Sequence, residues 1–314
     1  MPVSELFAYK GRNPRPEDFD AYWQRALGEL DSVLPDAELV PAKFNCPAVE
    51  CFDLFYTGTG GARIHAKYVR PKKMEAPSPA ALLFHGYTGS SPDWSRLLSF
   101  AGAGMAVAAM DCRGQGGLSE DTGSIKGTTF RGHIIRGLDD SEDKLLFRQV
   151  FLDTAQLVRV IAGFKEVDEN RMSCCGGSQG GGLTLACAAL DSRIKRAASI
   201  HPFLCDYKRV WEMDLAKDAY WELQEYFRHY DPRHEREEEI FTKLGYIDIQ
   251  FLAPRIKGEV LLQTGLMDTI CPPSSQFAAY NKITSPKNVI FYPDFAHEEA
   301  PGIWDTIFTF ITAD

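Results

Sequence analysis

Short apolar runs alternate with longer amphipathic stretches over most of the chain. Six runs are typical of strands buried on both faces, at 80–84, 105–110, 172–175, 197–200, 260–263 and 289–292. Helical patterns lie between them, at 145–161, 180–190 and 275–283. Upstream, the β-rich segments 49–56 and 63–69 are separated by glycines and predict an antiparallel hairpin. We therefore predict an α/β fold, with a mostly parallel sheet of roughly eight strands and helices on both faces.

Two stretches interrupt this alternation. Residues 116–140 form a long polar segment rich in glycine, and a loop of that length is usually functional or part of an interface. Residues 203–254 are aromatic and charged and contain predicted helices at 207–230 and 234–244. This insertion follows the sixth strand, where it would cap the carboxyl ends of the sheet. With an N-terminal helical extension over 1–45, we predict one domain spanning 1–314.

Composition narrows the choice of partners. Lys and Arg total 34 and Asp and Glu total 43, a net charge of −9 that disfavours nucleic-acid binding. We expect no membrane span, because no run of about 18 apolar residues occurs. The N-terminus does not read as a secretory signal, so we expect a cytoplasmic location. None of the eight cysteines forms a C-x-x-C pair and no phosphate loop is present, so we expect no metal and no cofactor.

A G-x-S-x-G motif stands between a predicted strand and a predicted helix. Its defining residues are Gly176, Ser178 and Gly180. In this context the motif predicts a sharp turn that exposes a strained serine, with glycines where neighbouring Cβ atoms would collide. Ser178 is therefore the candidate nucleophile, although a glycine-rich turn without chemistry would share the same letters.

A serine nucleophile needs a histidine base and usually an orienting acid. On such a fold the acid and then the histidine follow the serine along the chain. His297 lies just after the last predicted strand and is the preferred base, and Asp268 after the preceding strand is the preferred acid. The alternatives for the base are His201, which could line the pocket but is better explained as structural, and His229 and His234, which lie in the charged insertion. The alternative for the acid is Asp294, three residues before His297 on the same loop.

Acyl transfer also needs backbone N–H groups that hold the developing oxyanion. The N–H of Gln179, directly after the serine, is the first candidate. The second is the N–H of Tyr87, in the loop that follows the strand at 80–84, and the Tyr87 side chain is expected to wall the acyl pocket. Arg113, after the next strand, is interpreted as a residue that holds loops by bidentate hydrogen bonds.

Several of these motifs together resemble the α/β-hydrolase family of acetyl xylan esterases and cephalosporin-C deacetylases, carbohydrate esterase family 7. The resemblance covers nearly the whole chain and rests on short motifs at 9–11, 18–23, 85–87, 113–115, 132–138, 177–182, 268–273 and 297–298. It implies Ser178, Asp268 and His297 as the triad and Tyr87 and Gln179 as oxyanion donors, with Tyr87 binding substrate. Structural support is assigned to Arg113, Gln115, Gly176 and Gly180.

The resemblance also implies a function. The expected reaction removes acetyl groups from small acetylated sugars or from cephalosporin C, without a cofactor, through an acetyl-serine intermediate. Relatives of this kind form hexamers, and the segment 116–140 resembles their interface loop. The alternatives are a general short-chain carboxylesterase, a peptidase on the same fold, and a catalytically silent binding relative.

Overall fold

The computed structural model describes residues 1–125 and 132–313. Within them, one sheet of nine strands runs in the order β1-β2-β3-β5-β4-β6-β7-β8-β9. The strands are β1 (Glu38–Pro41), β2 (Val49–Thr57), β3 (Arg63–Pro71), β4 (Ser78–Phe84), β5 (Ala106–Met110), β6 (Val167–Gly177), β7 (Ile194–Ile200), β8 (Glu259–Gly265) and β9 (Lys287–Tyr292). The α-helices are α1 (Val3–Leu6), α2 (Phe19–Asp31), α3 (Trp94–Gly102), α4 (Leu146–Ala162), α5 (Gln179–Leu190), α6 (Tyr207–Glu212), α7 (Trp221–Tyr230), α8 (Glu237–Leu244), α9 (Ile249–Leu252), α10 (Pro273–Tyr280) and α11 (Ile303–Thr312).

The sheet is mostly parallel, as the apolar runs predicted. Strands β4 to β9 pair in parallel, whereas β1, β2 and β3 are antiparallel and join the sheet through β5. The predicted count of eight is one too low. Strand β1 was missed because it is short and largely exposed and contains Pro41, so it shows neither an apolar run nor a clear alternation.

Helices cover both faces of the sheet. On one face the buried cluster includes side chains of α2, α4 and α5, such as Trp23, Phe151 and Leu183. On the other face α3 packs on β3 and β5 and α11 packs on β6 and β7, with Leu97, Phe100 and Ile307 in the buried cluster. Strands buried between two such layers account for uninterrupted apolar sequences such as β5, all of whose residues are buried.

The predicted insertion at 203–254 contains α6 to α9, but the first helix predicted in it is too long. The single helix expected over 207–230 is two helices, because Asp214 and Asp218 adopt left-handed φ values of 55° and 51° between them. Asp can take this conformation through local hydrogen bonding, and no glycine or proline marks the break. The N-terminal segment also differs from a purely helical extension, since it includes β1.

The polar segment predicted at 116–140 is described in part. Residues 116–125 and 132–140 contain neither α-helix nor strand, and 126–131 lie outside the described residues. Within the described chain, no helix combines the length and the apolarity that crossing a lipid bilayer requires.

Candidate active site

Ser178 occupies a sharp turn between β6 and α5. Its backbone is left-handed, with φ 57° and ψ −120°, a conformation that costs energy for a residue with a side chain. A Cβ on Gly180 would overlap the carbonyl oxygen of Phe84, and one on Gly176 would lie 2.6 Å from the same oxygen. Glycine at both positions therefore lets β6 and α5 approach the end of β4 closely enough to form the turn.

Three side chains that lie far apart in the sequence meet at this turn. His297, in the loop after β9, lies with Nε2 2.9 Å from the Ser178 Oγ. Its Nδ1 lies 2.8 Å from Oδ2 of Asp268, in the loop after β8. The second oxygen of Asp268 accepts the backbone N–H groups of Ile270 and Cys271, each at 2.8 Å. With its proton on Nδ1, facing Asp268, the His297 ring presents an unprotonated Nε2 to the serine hydroxyl.

The alternative residues lie elsewhere or differ in environment. His229 and His234 are on the insertion, with side chains 49% and 42% exposed. Asp294 is exposed, whereas Asp268 is buried. His201 ends beside the triad, its ring centroid 4.2 Å from that of His297. Burial, together with the neighbouring His297, lowers the pKa of His201 to about 4, so its ring is neutral at neutral pH.

The two candidate oxyanion donors lie at the start of α5 and in the loop after β4. Gln179 is the first residue of α5, so its N–H has no partner within the helix. Its side-chain amide exchanges two hydrogen bonds with Gln115, at 2.8 and 3.0 Å, which ties the loop after β5 to the start of α5.

Tyr87 follows β4, and the peptide group that carries its N–H is held by hydrogen bonds to its carbonyl oxygen, which belongs to Gly86. The carbonyl oxygen of Gly86 accepts His85 Nδ1–H at 2.7 Å and Gly89 N–H at 3.1 Å. In a trans peptide the C=O and N–H groups point in opposite directions. The Tyr87 N–H therefore points away from these partners.

Arg113 lies in a buried ion pair away from the serine. Its Nε and Nη2 each donate to Asp153 of α4 at 2.6 Å, and Nη2 also donates to the carbonyl of Thr59 at 3.2 Å. Both charged side chains are almost fully buried. This bidentate geometry anchors the loop after β5 to α4.

A cavity of about 600 Å³ opens beside the triad. It is lined by Ser178, His201 and His297 from the carboxyl edge of the sheet. Helices α3 and α11 complete it with Arg96, Phe100, Trp304 and Phe308. Gly86 also lines it, but Tyr87, which we expected to wall the acyl pocket, is not among its lining residues, and its hydroxyl reaches Glu222 of α7. Sequence reasoning missed the lining from α3 and α11, because those side chains carry no motif and only packing brings them to the site.

A metal ion is the other chemistry that this cluster could suggest. Ligand atoms of His201, Asp268 and His297 all lie within 4.8 Å of one another. Two of the three are hydrogen-bonded in the chain that ends on Ser178, so binding a metal between them would break that chain. We therefore interpret the cluster as acid–base machinery.

Parallel strands covered on both faces, with a strained serine at a strand–helix turn, define an α/β-hydrolase. Within this class the chain belongs to the acetyl xylan esterase family, whose sequence profile (AXE1) matches residues 1–313.

Two solved structures and one further relative agree with this placement. The chain is 56% identical to acetyl xylan esterase 1 from Thermoanaerobacterium sp. JW/SL YS485, covering 99% of this chain and 98% of that one, with a TM-score of 0.98. For an acetyl xylan esterase from Paenibacillus sp. R4 the identity is 37%, the coverage 99% of each chain and the TM-score 0.94. This chain is also 27% identical to the acetyl esterase Axe7A of Xylanibacter ruminicola, over 90% of this chain but only 63% of that protein.

Proposed function

We propose that this protein is a serine esterase that removes acetyl groups from small acetylated carbohydrates, xylo-oligosaccharides among them. The observation that carries the proposal is the continuous hydrogen-bonded chain from Ser178 through His297 to Asp268, with links of 2.9 and 2.8 Å. This arrangement supplies a nucleophile, a base and an orienting acid in one place. The names of the related proteins, acetyl xylan esterase and acetyl esterase, support acetyl as the acyl group.

The reaction proceeds in two acyl transfers. His297 Nε2 accepts the Ser178 proton as Oγ attacks the acetyl carbonyl, and Asp268 stabilises the imidazolium. The N–H groups of Tyr87 and Gln179 hold the oxyanion of the tetrahedral intermediate. The intermediate collapses to acetyl-serine, and the protonated His297 gives its proton to the departing sugar oxygen. Water then attacks the acetyl-enzyme as His297 takes its proton, the bond from the carbonyl carbon to Ser178 Oγ breaks as His297 returns the proton to that oxygen, and acetate leaves.

The cavity supports a small, mixed-polarity alcohol partner. Its lining combines aromatic faces such as Phe100 and Trp304 with the polar side chains of Arg96 and Ser95. Sugars bind to such mixtures of apolar faces and hydrogen-bonding groups. Cephalosporin C carries an acetyl ester as well, and we propose it as a second substrate. Assembly into a hexamer and a cytoplasmic location stay predictions.

A panel of purified-enzyme assays tests this proposal. Acetate release from acetylated xylo-oligosaccharides and cephalosporin C is measured beside hydrolysis of p-nitrophenyl acetate, butyrate and octanoate and of an aminoacyl p-nitroanilide. We expect kcat/KM to fall as the acyl chain lengthens and the anilide to be inert. Faster turnover of octanoate would favour a general carboxylesterase, and turnover of the anilide a peptidase.

The nucleophile is tested by Ser178→Ala, with Ser141→Ala as control because Ser141 is exposed and distant from the triad in sequence. We expect Ser178→Ala to lower kcat by about 10⁴-fold or more and to abolish labelling by a fluorophosphonate. Wild-type protein that neither turns over esters nor takes the label would indicate a silent binding relative.

A further inference from the structure

Glu222, in the first turn of α7, is a buried carboxylate that the proposed reaction does not use. Only 3% of its surface is exposed. Its partners are neutral donors: the Tyr87 hydroxyl, which donates to Oε1, and the Ile135 N–H, 3.0 Å from Oε2. Burial raises the pKa of Glu222 to about 7, opposed by these hydrogen bonds. Burying a carboxylate is costly, and here the hydrogen bonds from Tyr87 and from the backbone at 133–135 offset part of that cost.

Tyr87 is held at the far end of its ring by this carboxylate. Its hydroxyl also accepts the His133 N–H at 3.1 Å. The ring packs edge-on against Phe203 and His133, with centroids 5.4 and 5.2 Å away. The loop neighbours Gly86 and Thr88 are exposed, so the Tyr87 side chain is the inward anchor of this loop.

The backbone at 132–135 closes around the same carboxylate. Gly132 has a φ of 122°, and a Cβ there would overlap Glu222 Oε2. Glycine at this position therefore allows the backbone to reach the carboxylate and to present the N–H groups of His133 to Tyr87 and of Ile135 to Glu222. One residue of the insertion thus joins two loops that are distant in sequence.

We infer that Glu222 is a positioning residue that fixes the Tyr87 N–H at the oxyanion, so that the 203–254 insertion takes part in setting the rate of the reaction. The inference rests on the proposed function. An oxyanion donor must lie about 2.7–3.1 Å from the place where the charge develops, and its value falls quickly with displacement. A rigid ring tied at its hydroxyl limits the movement of the Cα and N to which it is attached.

The inference predicts an effect on kcat and not on KM. The oxyanion exists only in the tetrahedral intermediate and its transition states, so a displaced donor weakens those and leaves ground-state binding unchanged. A purely structural role for Glu222 would lower the amount of folded enzyme and leave the kcat of the folded fraction as it was.

Two variants remove the link from opposite ends. Glu222→Gln replaces an acceptor oxygen by an amide NH₂, so the side chain cannot accept from both Tyr87 and Ile135. Tyr87→Phe removes the hydroxyl but keeps the ring and the backbone N–H. Glu225→Gln is the matched control, since Glu225 is a half-buried acid on the same helix whose partner is His229, 3.6 Å away, and not Tyr87. All are assayed with p-nitrophenyl acetate, with the folded fraction measured by active-site titration.

We expect Glu222→Gln and Tyr87→Phe each to lower kcat about 10- to 100-fold with KM within about twofold of wild type. The double variant should be no slower than the slower single variant, because both break one linkage. The affinity for 1,1,1-trifluoroacetone, a trifluoromethyl ketone whose adduct with Ser178 presents an oxyanion at the same place, should fall by the same factor as kcat.

Three results would overturn the inference: an unchanged kcat in either folded single variant, losses that multiply in the double variant, or an inhibitor affinity that does not follow kcat. If Glu222→Gln fails to fold, Tyr87→Phe alone decides, because it leaves the carboxylate and its backbone partners in place. Wild-type turnover, together with its loss in Ser178→Ala, tests the proposed function separately, so the two ideas fail independently.

Discussion

The two loops that flank the Ser178 hydroxyl are held by different means. The turn at 176–180 is fixed by its own backbone, which packs against the end of β4 so closely that Gly176 and Gly180 have no room for a Cβ. The loop at 86–90 has exposed residues at Gly86, Thr88 and Ser90, its backbone is hydrogen-bonded at Gly86 and Gly89, and one aromatic side chain, Tyr87, ties it to the insertion. That anchor depends on Glu222, which is supplied by the insertion after β7.

This difference predicts that the Ser178 turn and the Tyr87 loop respond differently to amino-acid substitutions. A turn built from backbone contacts tolerates no added atom, but its position depends little on distant residues. A loop tied by a side chain tolerates variation along its own sequence but depends on a carboxylate 135 residues away. Substitutions around Ser178 can therefore test each means of support separately.

The largest expected effect comes from the acid that orients His297. Asp268→Asn keeps the size of the side chain but lets its NH₂ group face Nδ1, which favours the tautomer with the proton on Nε2, facing the serine. We expect kcat for acetyl esters to fall by about 10⁴-fold while KM and the unfolding midpoint change little.

Asp294→Asn is the matched control, since Asp294 was the alternative acid and is exposed on the loop that precedes His297. We expect it to retain close to wild-type kcat. If Asp294→Asn were the more damaging of the two, the orientation of His297 through Asp268 would be wrong and the loop after β9 would contain both residues of the pair.

The second prediction concerns the backbone of the turn. Gly180→Ala places a methyl group against the Phe84 carbonyl, and the strand end and the helix start must separate to admit it. We expect a loss of about 3 kcal/mol or more in the free energy of unfolding, measured with urea, together with a fall in kcat.

Gly28→Ala provides the contrast on a surface helix. Gly28 lies inside α2, where an added Cβ meets nothing within 4 Å. Alanine there should raise the free energy of unfolding by about 0.5–1 kcal/mol. Equal losses from both substitutions would show that tight packing at 180 is not what makes glycine necessary in the turn.

The sequence predicted the backbone-held half of the site better than the half held by side chains. The spacing of Gly176, Ser178 and Gly180 describes a local geometry, so a strand before it and a helix after it are enough to locate the turn. The positions after the last two strands then indicated Asp268 and His297, because parallel strands end at one edge of the sheet. Tyr87 was found in the same way, as a residue that follows a strand.

Glu222 had no comparable signal. In the sequence it is one acid in a charged, aromatic stretch, and solvated acids are common on helices of that composition. Its burial follows from the packing of α7 against the segment at 132–135. Glu222 and its hydrogen-bond partner Ile135 are 87 residues apart in the sequence. The side chains of α3 and α11 that line the cavity were not predicted for the same reason. Contacts between helices and loops are set by tertiary packing, and no sequence periodicity indicates them.

The last prediction concerns His201, the buried histidine at the end of β7 beside the backbone-held turn. Its pKa in the folded protein is lowered to about 4 by burial, against about 6.5 in an unfolded chain. Between these values the unfolded state binds more protons than the folded state, so the free energy of unfolding falls as the pH falls. From pH 7 to pH 5 this group alone should lower the free energy of unfolding by about 2 kcal/mol.

The measurement is urea unfolding of wild type and of His201→Gln across this pH range, with the difference between the two free energies of unfolding at pH 7–8 as the baseline. The wild-type advantage over the variant should shrink by that amount on acidification, and a difference that stays constant would mean that the ring is already accessible to water and protons in the folded state.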